Sequence, residues 1–347
     1  DVYKRQGVSD VPRLHPLAFH GRVETPTVES ALLRDNRAGD PHVRELPVYL
    51  PPSAGEGGER LPTVWLLAAY TGHPTGFLET HPWRRGVVRL YDEAVARGEA
   101  PRAILVLPDC FTWLGGSQYV DSSYQGPYER HLVEELVPFV DARYPTRPGA
   151  RAVTGKSSGG FGALRLGMRH PDLFGVVASI SGDIAFEDSL GAELLACLRG
   201  LVPYRGDPAA FLEAFRADPD LSGDGHAVIN VLAMAACYSP NPGDPLGFDL
   251  PMDLRTGRRI EEVWQRWLAF DPLNAIGHHA EALKRLRLLH LECGLRDEYH
   301  LQWGTRRLSD LLRDLGVPHD HEEHEGGHRG LDPRLLALLP KLISALG

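Results

Sequence analysis

The fold of this chain is decided by the stretch Arg151-Ala152-Val153-Thr154-Gly155-Lys156-Ser157-Ser158-Gly159-Gly160-Phe161-Gly162-Ala163-Leu164. Its first residues, ending in Val153 and Thr154, predict a short buried strand. A G-x-S-x-G pentapeptide follows, and the residues after it predict a helix with one apolar face. In that context the pentapeptide forms a nucleophile elbow, in which a strained turn lifts the serine hydroxyl off the sheet. We therefore predict Ser157 as a nucleophile and the Ser158 N–H, at the helix start, as an oxyanion donor.

A phosphate-binding loop is the main alternative for this segment, because Gly155-Lys156-Ser157 matches the end of G-x-x-x-x-G-K-[ST]. That motif needs glycine at position 150, where the chain has Ala150. It also needs a loop of exposed N–H groups, whereas residues 151–153 predict a strand. The pentapeptide alone is weak evidence, since roughly 0.2 matches arise by chance in such a composition. The flanking strand and helix favour the elbow.

Composition limits the classes of partner. The chain has 347 residues, 43% of them hydrophobic, and a formal net charge of −9. A mildly acidic chain argues against nucleic acids and anionic membranes as partners, and no run of 18 apolar residues predicts a membrane span. We expect a small-molecule substrate, and the oligomeric state cannot be read from the sequence.

The cysteines bear on the compartment. Four of them are scattered along the chain without a C-x-x-C pair: Cys110, Cys197, Cys237 and Cys293. This pattern favours buried thiols in a reducing, cytoplasmic compartment. Two disulfides in a secreted enzyme are the alternative.

The start of the chain reads Asp1-Val2-Tyr3-Lys4-Arg5-Gln6, without an initiator Met. These six residues match the translation of a common sequencing-library adapter. We expect residues 1–6 to be a non-native leader on a truncated metagenomic fragment, so they carry no weight in the fold prediction.

Predicted strands and helices alternate along most of the chain, which indicates βαβ units and a mostly parallel sheet. We expect strands at residues 44–50, 61–70, 103–107, 151–154, 174–180, 286–292 and 320–323, and helices at 85–97, 128–144, 301–315 and 333–346. Ligands of such sheets bind at the carboxyl ends of the strands. The loops after Tyr70, Leu107, Thr154 and Ile180 are therefore expected to share one edge.

Residues 184–274 break this alternation. They predict helices at 187–201, 208–215 and 258–270 and a proline-rich loop at 238–251. We interpret the segment as a helical insert that caps the sheet edge within a single α/β domain of residues 1–347. A separate interaction module is the alternative.

A nucleophilic serine needs a base, and the base needs an acid that fixes its tautomer. In folds with such an elbow, the three catalytic residues follow one another along the chain in the order Ser, then Asp or Glu, then His. Asp297 follows the predicted strand 286–292 and is the candidate acid, with a solvated turn residue as the alternative reading. Of the four histidines near the end of the chain, His319, His321, His324 and His328, only His328 lies in a glycine-rich loop, residues 326–330. We predict His328 as the base.

The segment His324-Glu325-Gly326-Gly327-His328 also fits H-E-x-x-H, the zinc protease signature. That motif works on a helix, where the two histidines share a face. Two adjacent glycines oppose a helix by about 1 kcal/mol each, and the preceding residues predict a strand. We predict no metal site and no cofactor.

From about residue 20 onward the chain resembles the esterase family of α/β-hydrolases, which includes feruloyl esterases, enterochelin esterases, S-formylglutathione hydrolase and the antigen 85 mycolyltransferases. The matching segments are Gly115-Gly116-Ser117-Gln118-Tyr119, residues 155–163 with His170-Pro171-Asp172-Leu173-Phe174-Gly175, Gly294-Leu295-Arg296-Asp297, and Gly326-Gly327-His328. Residues 238–268 are similar to the insert of one bacterial branch of that family.

The resemblance implies an α/β-hydrolase fold, with Ser157 as nucleophile, Asp297 as acid and His328 as base. It implies the backbone N–H of Tyr70 and of Ser158 as oxyanion donors. The family usually has His-Gly where this chain has Ala68-Ala69, which leaves Tyr70 or Thr71 as the first donor.

The implied activity is hydrolysis of carboxylic esters through an acyl-enzyme, with aryl or feruloyl esters among the expected substrates. Acyl transfer with the same triad and a non-catalytic binding module are the alternatives. Four aromatic residues are candidates for lining an apolar acyl pocket, with core packing as the other interpretation: Trp113, Tyr119, Trp264 and Trp267.

Overall fold

A computed structural model describes residues 18–81 and 84–347, so the predicted leader at residues 1–6 lies outside the described residues. The main strands are β1 (Arg22–Glu24), β2 (Val48–Leu50), β3 (Leu61–Leu67), β4 (Ile104–Val106), β5 (Thr146–Lys156), β6 (Val176–Ile180), β7 (Leu288–Gly294) and β8 (Asp320–His324). They form an eight-stranded sheet in the order β1-β2-β4-β3-β5-β6-β7-β8. The β1–β2 and β2–β4 pairs are antiparallel and the others are parallel, which confirms the predicted mostly parallel sheet.

The helices that follow these strands are α1 (Val87–Ala96), α2 (Tyr128–Arg130, His131–Leu136 and Val137–Arg143 in succession), α3 (Ser158–Arg169), α4 (Leu190–Gly200), α5 (Pro208–Ala217), α6 (Gly225–Tyr238), α7 (Glu261–Leu268), α8 (Leu301–Asp314) and α9 (Asp332–Ser344). Short helices span Pro272–Ala275 and Ala280–Leu283, and 3₁₀ turns span Glu56–Gly58, Pro74–Leu78, Val202–Tyr204 and Ile276–His279. No helix in the described ranges is long and apolar enough to cross a membrane.

Helices cover both faces of the sheet, because successive side chains of a buried strand point to opposite faces. On β3, Trp65 and Leu67 pack with residues of α2, α3 and α8, while Val64 and Leu66 pack with residues of α1 and α9. Two separate cores result, one on each side of the sheet. All four cysteines are buried and free, as the buried-thiol interpretation expects.

The predicted strand at residues 44–50 is wrong in its extent. Its first part, Val43–Glu45, pairs with Thr27–Glu29 in a two-stranded sheet of its own, and Val48–Leu50 alone joins the main sheet as β2. Pro47 separates the two parts, and proline has no N–H to donate to a strand ladder. Two further small hairpins pair Thr80–His81 with Arg84–Arg85 and Asp121–Ser122 with Gly126–Pro127.

The insert at residues 184–274 has a third core of its own. Residues of α4, α5, α6 and α7 pack together there, with Phe161 of α3 contributing from the sheet domain. Trp264 and Trp267 are fully buried in this core, and Trp267 donates to Ser239 Oγ at 2.8 Å. For these two residues the core-packing interpretation is therefore right and the acyl-pocket interpretation is not, because they stabilise the insert.

Candidate active site

The elbow at Ser157 has the strained backbone that the sequence predicts. Ser157 joins β5 to α3 with φ 55° and ψ −126°, and its N–H donates to the Ile180 carbonyl at 3.0 Å. The neighbouring glycines permit this approach, because a Cβ on Gly159 would lie 2.2 Å from the Leu67 carbonyl oxygen and one on Gly155 would lie 2.6 Å from it. Non-glycine residues at φ above zero carry a strain that the surrounding structure must hold.

Asp297 and His328 meet across two loops at the same edge of the sheet. His328 Nδ1 lies 2.8 Å from Asp297 Oδ2, and Asp297 is almost completely buried. Burial by itself raises the pKa of the Asp297 carboxyl, but the hydrogen bond and charge of His328 and the N–H of Tyr299 outweigh it and leave the pKa below its usual value. Asp297 is therefore a carboxylate at neutral pH, in position to accept a hydrogen bond from Nδ1–H and hold the imidazole in one tautomer.

Glu298, the residue after Asp297, makes a second contact with the loop that carries His328. Although exposed, its Oε2 accepts the backbone N–H of His328 at 2.6 Å. A Cβ on Gly327 would lie 2.7 Å from the same oxygen, so only glycine lets this carboxylate approach the loop. Two adjacent carboxylates thus hold one histidine, Asp297 by its ring and Glu298 by its backbone.

The hydrogen bonds of the backbone N–H groups distinguish Tyr70 from Thr71 as the first oxyanion donor. The N–H of Thr71 donates to the Gly115 carbonyl at 2.8 Å, whereas the backbone hydrogen bonds of the described chain include none from Tyr70 N or Ser158 N. The Tyr70 ring is fixed by a hydrogen bond from its hydroxyl to the Leu114 carbonyl at 2.8 Å. Tyr70 and Ser158 therefore present free N–H groups at this edge.

A cavity of about 300 Å³ opens above Ser157. Most of its lining comes from the strand-end loops and from helices α4 and α6 of the insert, namely Ala69, Tyr70, Thr71, Lys156, Ser157, Ser158, Asp183, Ser189, Leu190, Glu193, His226, Asn230, Tyr299, Leu301, His328, Arg329 and Gly330. The predicted common edge is thus occupied by the loops after β3, β5 and β6. The loop after β4 lies beside it, where Gln118 donates to Ser158 Oγ at 2.9 Å.

Asp183, in the loop after β6, is a site residue that the sequence reasoning missed. Its carboxylate lies 3.5 Å from Ser157 Oγ and 3.3 Å from Ser158 Oγ. Among the hydrogen bonds of the described residues, Ser157 Oγ makes this long one to Asp183 and none to His328. Burial raises the pKa of Asp183 to about 6. The available signal was its place directly after a predicted parallel strand, at the edge where ligands bind.

The H-E-x-x-H segment does not form a helix. His324 ends β8, and Gly326 and Gly327 lie in the loop after it, with the Gly326 N–H donating to His324 Nδ1 at 3.0 Å. The two histidines therefore do not share a helix face as a zinc protease requires.

A different set of side chains in the described ranges lies close enough for a metal ion, His290, Glu292 and Glu322. Arg334 is paired with Glu292, and Lys341 Nζ lies 3.0 Å from Glu322 Oε1 and 3.2 Å from His290 Nδ1. Two cations already neutralise this cluster, so it is an ion-pair network between β7, β8 and α9.

Comparisons with known proteins identify the family and the fold. Residues 41–332 match the sequence model of the esterase family, described as "Putative esterase", and this range includes Ser157, Asp297 and His328. Similar solved structures include a ferulic acid esterase (TM-score 0.59, 20% identity, covering 94% of this chain and 100% of that one). An S-formylglutathione hydrolase from Staphylococcus aureus is also similar (TM-score 0.57, 14% identity, 93% and 99% covered).

A third similar structure is the ferulic acid esterase of Anaeromyces mucronatus in complex with ferulic acid (TM-score 0.53, 14% identity, 99% and 96% covered). At these identities the structural similarity supports the fold alone. The family match spans most of the chain, so it also supports the class of enzyme, and it confirms the resemblance that the sequence analysis identified. The chain belongs to the esterase family, the carboxylic ester hydrolases of the α/β-hydrolase fold.

Proposed function

We propose that this protein hydrolyses carboxylic esters through an acyl-enzyme on Ser157, with His328 as the general base and Asp297 as the acid that orients it. The observation that carries the proposal is the 2.8 Å hydrogen bond between His328 Nδ1 and the buried Asp297, in a cavity that also contains Ser157. This bond leaves Nε2 as the proton acceptor of the imidazole, which is the role a serine nucleophile requires.

The reaction runs in two halves. His328 Nε2 takes the Ser157 proton as Oγ attacks the ester carbonyl, and the N–H groups of Tyr70 and Ser158 stabilise the oxyanion. The imidazolium then protonates the leaving alcohol, and water, activated by the same histidine, releases the acid. Catalytic hydrogen bonds often tighten only when substrate binds, so the absence of a Ser157–His328 bond in the free chain is compatible with this mechanism.

Active-site labelling tests the proposal directly. A fluorophosphonate probe, followed by peptide mapping, should modify Ser157, and Ser157→Ala should abolish both labelling and hydrolysis of p-nitrophenyl and aryl esters. The matched control is Ser158→Ala, which keeps the backbone N–H and should keep most of the activity. A dead Ser158→Ala beside an active Ser157→Ala would assign the nucleophile to the wrong serine, and labelling of neither would favour a binding module.

Transfer of the acyl group to an alcohol is the second outcome open to the same acyl-enzyme. An acceptor screen with an activated acyl donor separates the two reactions. Hydrolysis predicts that free acid forms at the same yield with or without added sugars and alcohols. An acyl-acceptor product that grows at the expense of free acid would make the protein a transferase.

A further inference from the structure

The carboxylate of Asp183, which is half-buried in the wall of the cavity, lacks the partners that the buried carboxylates Glu129 and Asp271 have. Glu129 is held by Arg165 and Arg169, and these cations and His170 lower its pKa to about 2 in spite of its burial. Asp271 accepts three backbone N–H groups, from Ala185, Phe186 and Leu273. In contrast, no lysine or arginine within residues 18–81 and 84–347 forms an ion pair with Asp183, which has only two long contacts to serine hydroxyls.

The groups that face Asp183 do not compensate its charge. Ser157 and Ser158 approach it from the elbow, and His328 and Asp297 act on it through space with opposite signs, the histidine lowering its pKa and the aspartate raising it. Burial and the charge of Asp183 both raise the pKa of Tyr238 in α6 and of Tyr299 in the loop after β7, so both phenols are neutral and neither offsets the charge. Lys156 and Arg329 also line the cavity, but neither forms an ion pair with Asp183 in the described structure, because Lys156 pairs with Asp332 and Arg329 is exposed.

This unpaired carboxylate opposes the proposed chemistry of the free site. Its negative charge lies 3.5 Å from Ser157 Oγ, the attacking atom, whereas the charge that develops in the transition state is stabilised by positive or N–H groups. It also competes with His328 for the Ser157 hydroxyl. A cation that arrives with the substrate removes both disadvantages, because it cancels the charge and replaces the serine hydroxyl as the partner of Asp183.

We infer that Asp183 is a specificity-determining residue that selects esters whose acyl part carries a protonated amino group close to the scissile carbonyl, an inference that rests on the proposed function. Reacting atoms approach to about 3–3.5 Å before attack. A nitrogen on the carbon next to the carbonyl therefore comes within ion-pair reach of a carboxylate that lies 3.5 Å from Ser157 Oγ.

The shape of the cavity agrees with such a substrate. Its volume of about 300 Å³ is at the lower limit of small-molecule sites and suits a compact acyl group. Glu193 on α4 adds a second carboxylate to the wall, but it has Asn230 as a hydrogen-bond partner, and the contacts of Ser157 in the described structure do not include it. In the reaction, Ser157 displaces the alcohol and water then releases the acid from the acyl-enzyme, while the amino group stays bound to the acid and takes no part in bond making or breaking.

Three ethyl esters of similar size test the inference, those of alanine, lactic acid and isobutyric acid, which present an ammonium, a hydroxyl and a methyl group at the same position. At pH 7 the amino group, with an ordinary pKa of about 7.7–8.0, is mostly protonated. We expect kcat/KM to favour the alanine ester over the isobutyrate by at least about a hundredfold, because a polar site left unpaired rejects the analogue.

The amino ester can react faster for chemical reasons that have nothing to do with Asp183. Comparing the same pair of esters in the native protein and in variants cancels that intrinsic reactivity. Asp183→Asn should reduce the alanine-to-isobutyrate ratio by at least about tenfold, while Asp188→Asn, an equal change of charge at an exposed position outside the cavity, should keep the native ratio. An unchanged ratio in Asp183→Asn would overturn the inference. So would a lactate ester as good as the alanine ester, or a ratio lost in Glu193→Gln instead.

Binding to the inactive Ser157→Ala protein separates this inference from the proposed function. Calorimetry should give at least about tenfold tighter binding of the alanine ester than of the isobutyrate, and the difference should vanish in Ser157→Ala/Asp183→Asn. Equal affinities would overturn the inference whether or not the native protein hydrolyses esters. Absence of hydrolysis of these three esters and of the p-nitrophenyl and aryl esters by the native protein would refute the esterase mechanism alone, since the binding order is measured without turnover.

Discussion

The backbone N–H of His328 lies 2.6 Å from Glu298 Oε2, while the ring of the same histidine is bonded to the neighbouring Asp297. One loop after β7 therefore fixes both the position and the ring orientation of the candidate base. The two carboxylates are adjacent in sequence but differ in burial, because Asp297 is enclosed and Glu298 remains exposed. This difference permits an experiment that separates their roles.

Replacing Asp297 and Glu298 in turn by the corresponding amide should show which carboxylate contributes more to kcat. Asp297→Asn keeps the shape but favours the wrong imidazole tautomer, and this change costs about 10⁴ in kcat in the serine triad template. Glu298→Gln retains an oxygen that accepts the His328 N–H, so we expect a loss of less than about tenfold. The measurement is kcat on one p-nitrophenyl ester at fixed pH, with melting temperatures as the folding control. The opposite ranking would make Glu298 the acid.

The oxyanion donor at Tyr70 can be tested through Gly115, because a backbone N–H cannot be removed by side-chain substitution. Gly115 has φ 101°, and a Cβ there would lie 2.9 Å from the Tyr70 ring. Gly115→Ala should therefore displace the Tyr70 turn and lower kcat toward the 10²–10³ loss that removal of one oxyanion donor causes. Gly149→Ala is the control, with φ 73° and no neighbouring atom within 4 Å. Equal activity in both variants would remove Tyr70 from the mechanism.

The site was largely predictable because its parts depend on local sequence. The elbow needs glycine where Leu67 approaches the turn, and the base needs a glycine-rich loop that folds over the sheet edge; both requirements are visible in the chain. Asp183 was not found. Its position after a predicted strand is visible in the sequence, but many polar residues share such positions, and only the structure shows that no lysine or arginine of the described residues pairs with it.

Helix α6 shows a second limit. The sequence analysis predicted no helix at Gly225–Tyr238, although twelve of its residues are buried. A helix that is apolar on all sides has no polar face and therefore no 3.6-residue period to detect. Strand β8 is the opposite case: it consists of acidic and histidine residues, three of them exposed, yet its place was predicted from the alternation of the elements around it.

Chelation tests the interpretation of the histidine-rich segment. His324 and His328 lie on a strand end and a loop, and the cluster of His290, Glu292 and Glu322 is already neutralised by Arg334 and Lys341. We therefore expect prolonged EDTA treatment to leave ester hydrolysis unchanged and the purified protein to hold no stoichiometric zinc by elemental analysis. Loss of activity on chelation, restored by added Zn²⁺, would require a metal in the mechanism.

The raised pKa of Asp183 predicts how stability depends on pH. Burial raises this pKa from 3.8 to about 6, so between these values the folded chain binds a proton that the unfolded chain has released. The stability that this group contributes is present below about pH 4 and is lost as the pH rises through 6. Asp183→Asn, which stays neutral, should therefore increase the free energy of unfolding at pH 7.5 by about 1–3 kcal/mol, with a much smaller increase at pH 4.5.

Urea unfolding of the native protein and of Asp183→Asn at the two pH values measures this difference. Asp188→Asn serves as the matched control, because it removes the same charge from an exposed ion pair, and such pairs contribute about 0–1 kcal/mol. A stabilisation at pH 7.5 that becomes much smaller at pH 4.5 is the expected result. Together with the altered substrate preference, it would show that a substrate-binding carboxylate is kept at the expense of stability. A destabilised Asp183→Asn at pH 7.5 would mean that the carboxylate has a compensating partner in the folded state and is not free to meet a substrate cation.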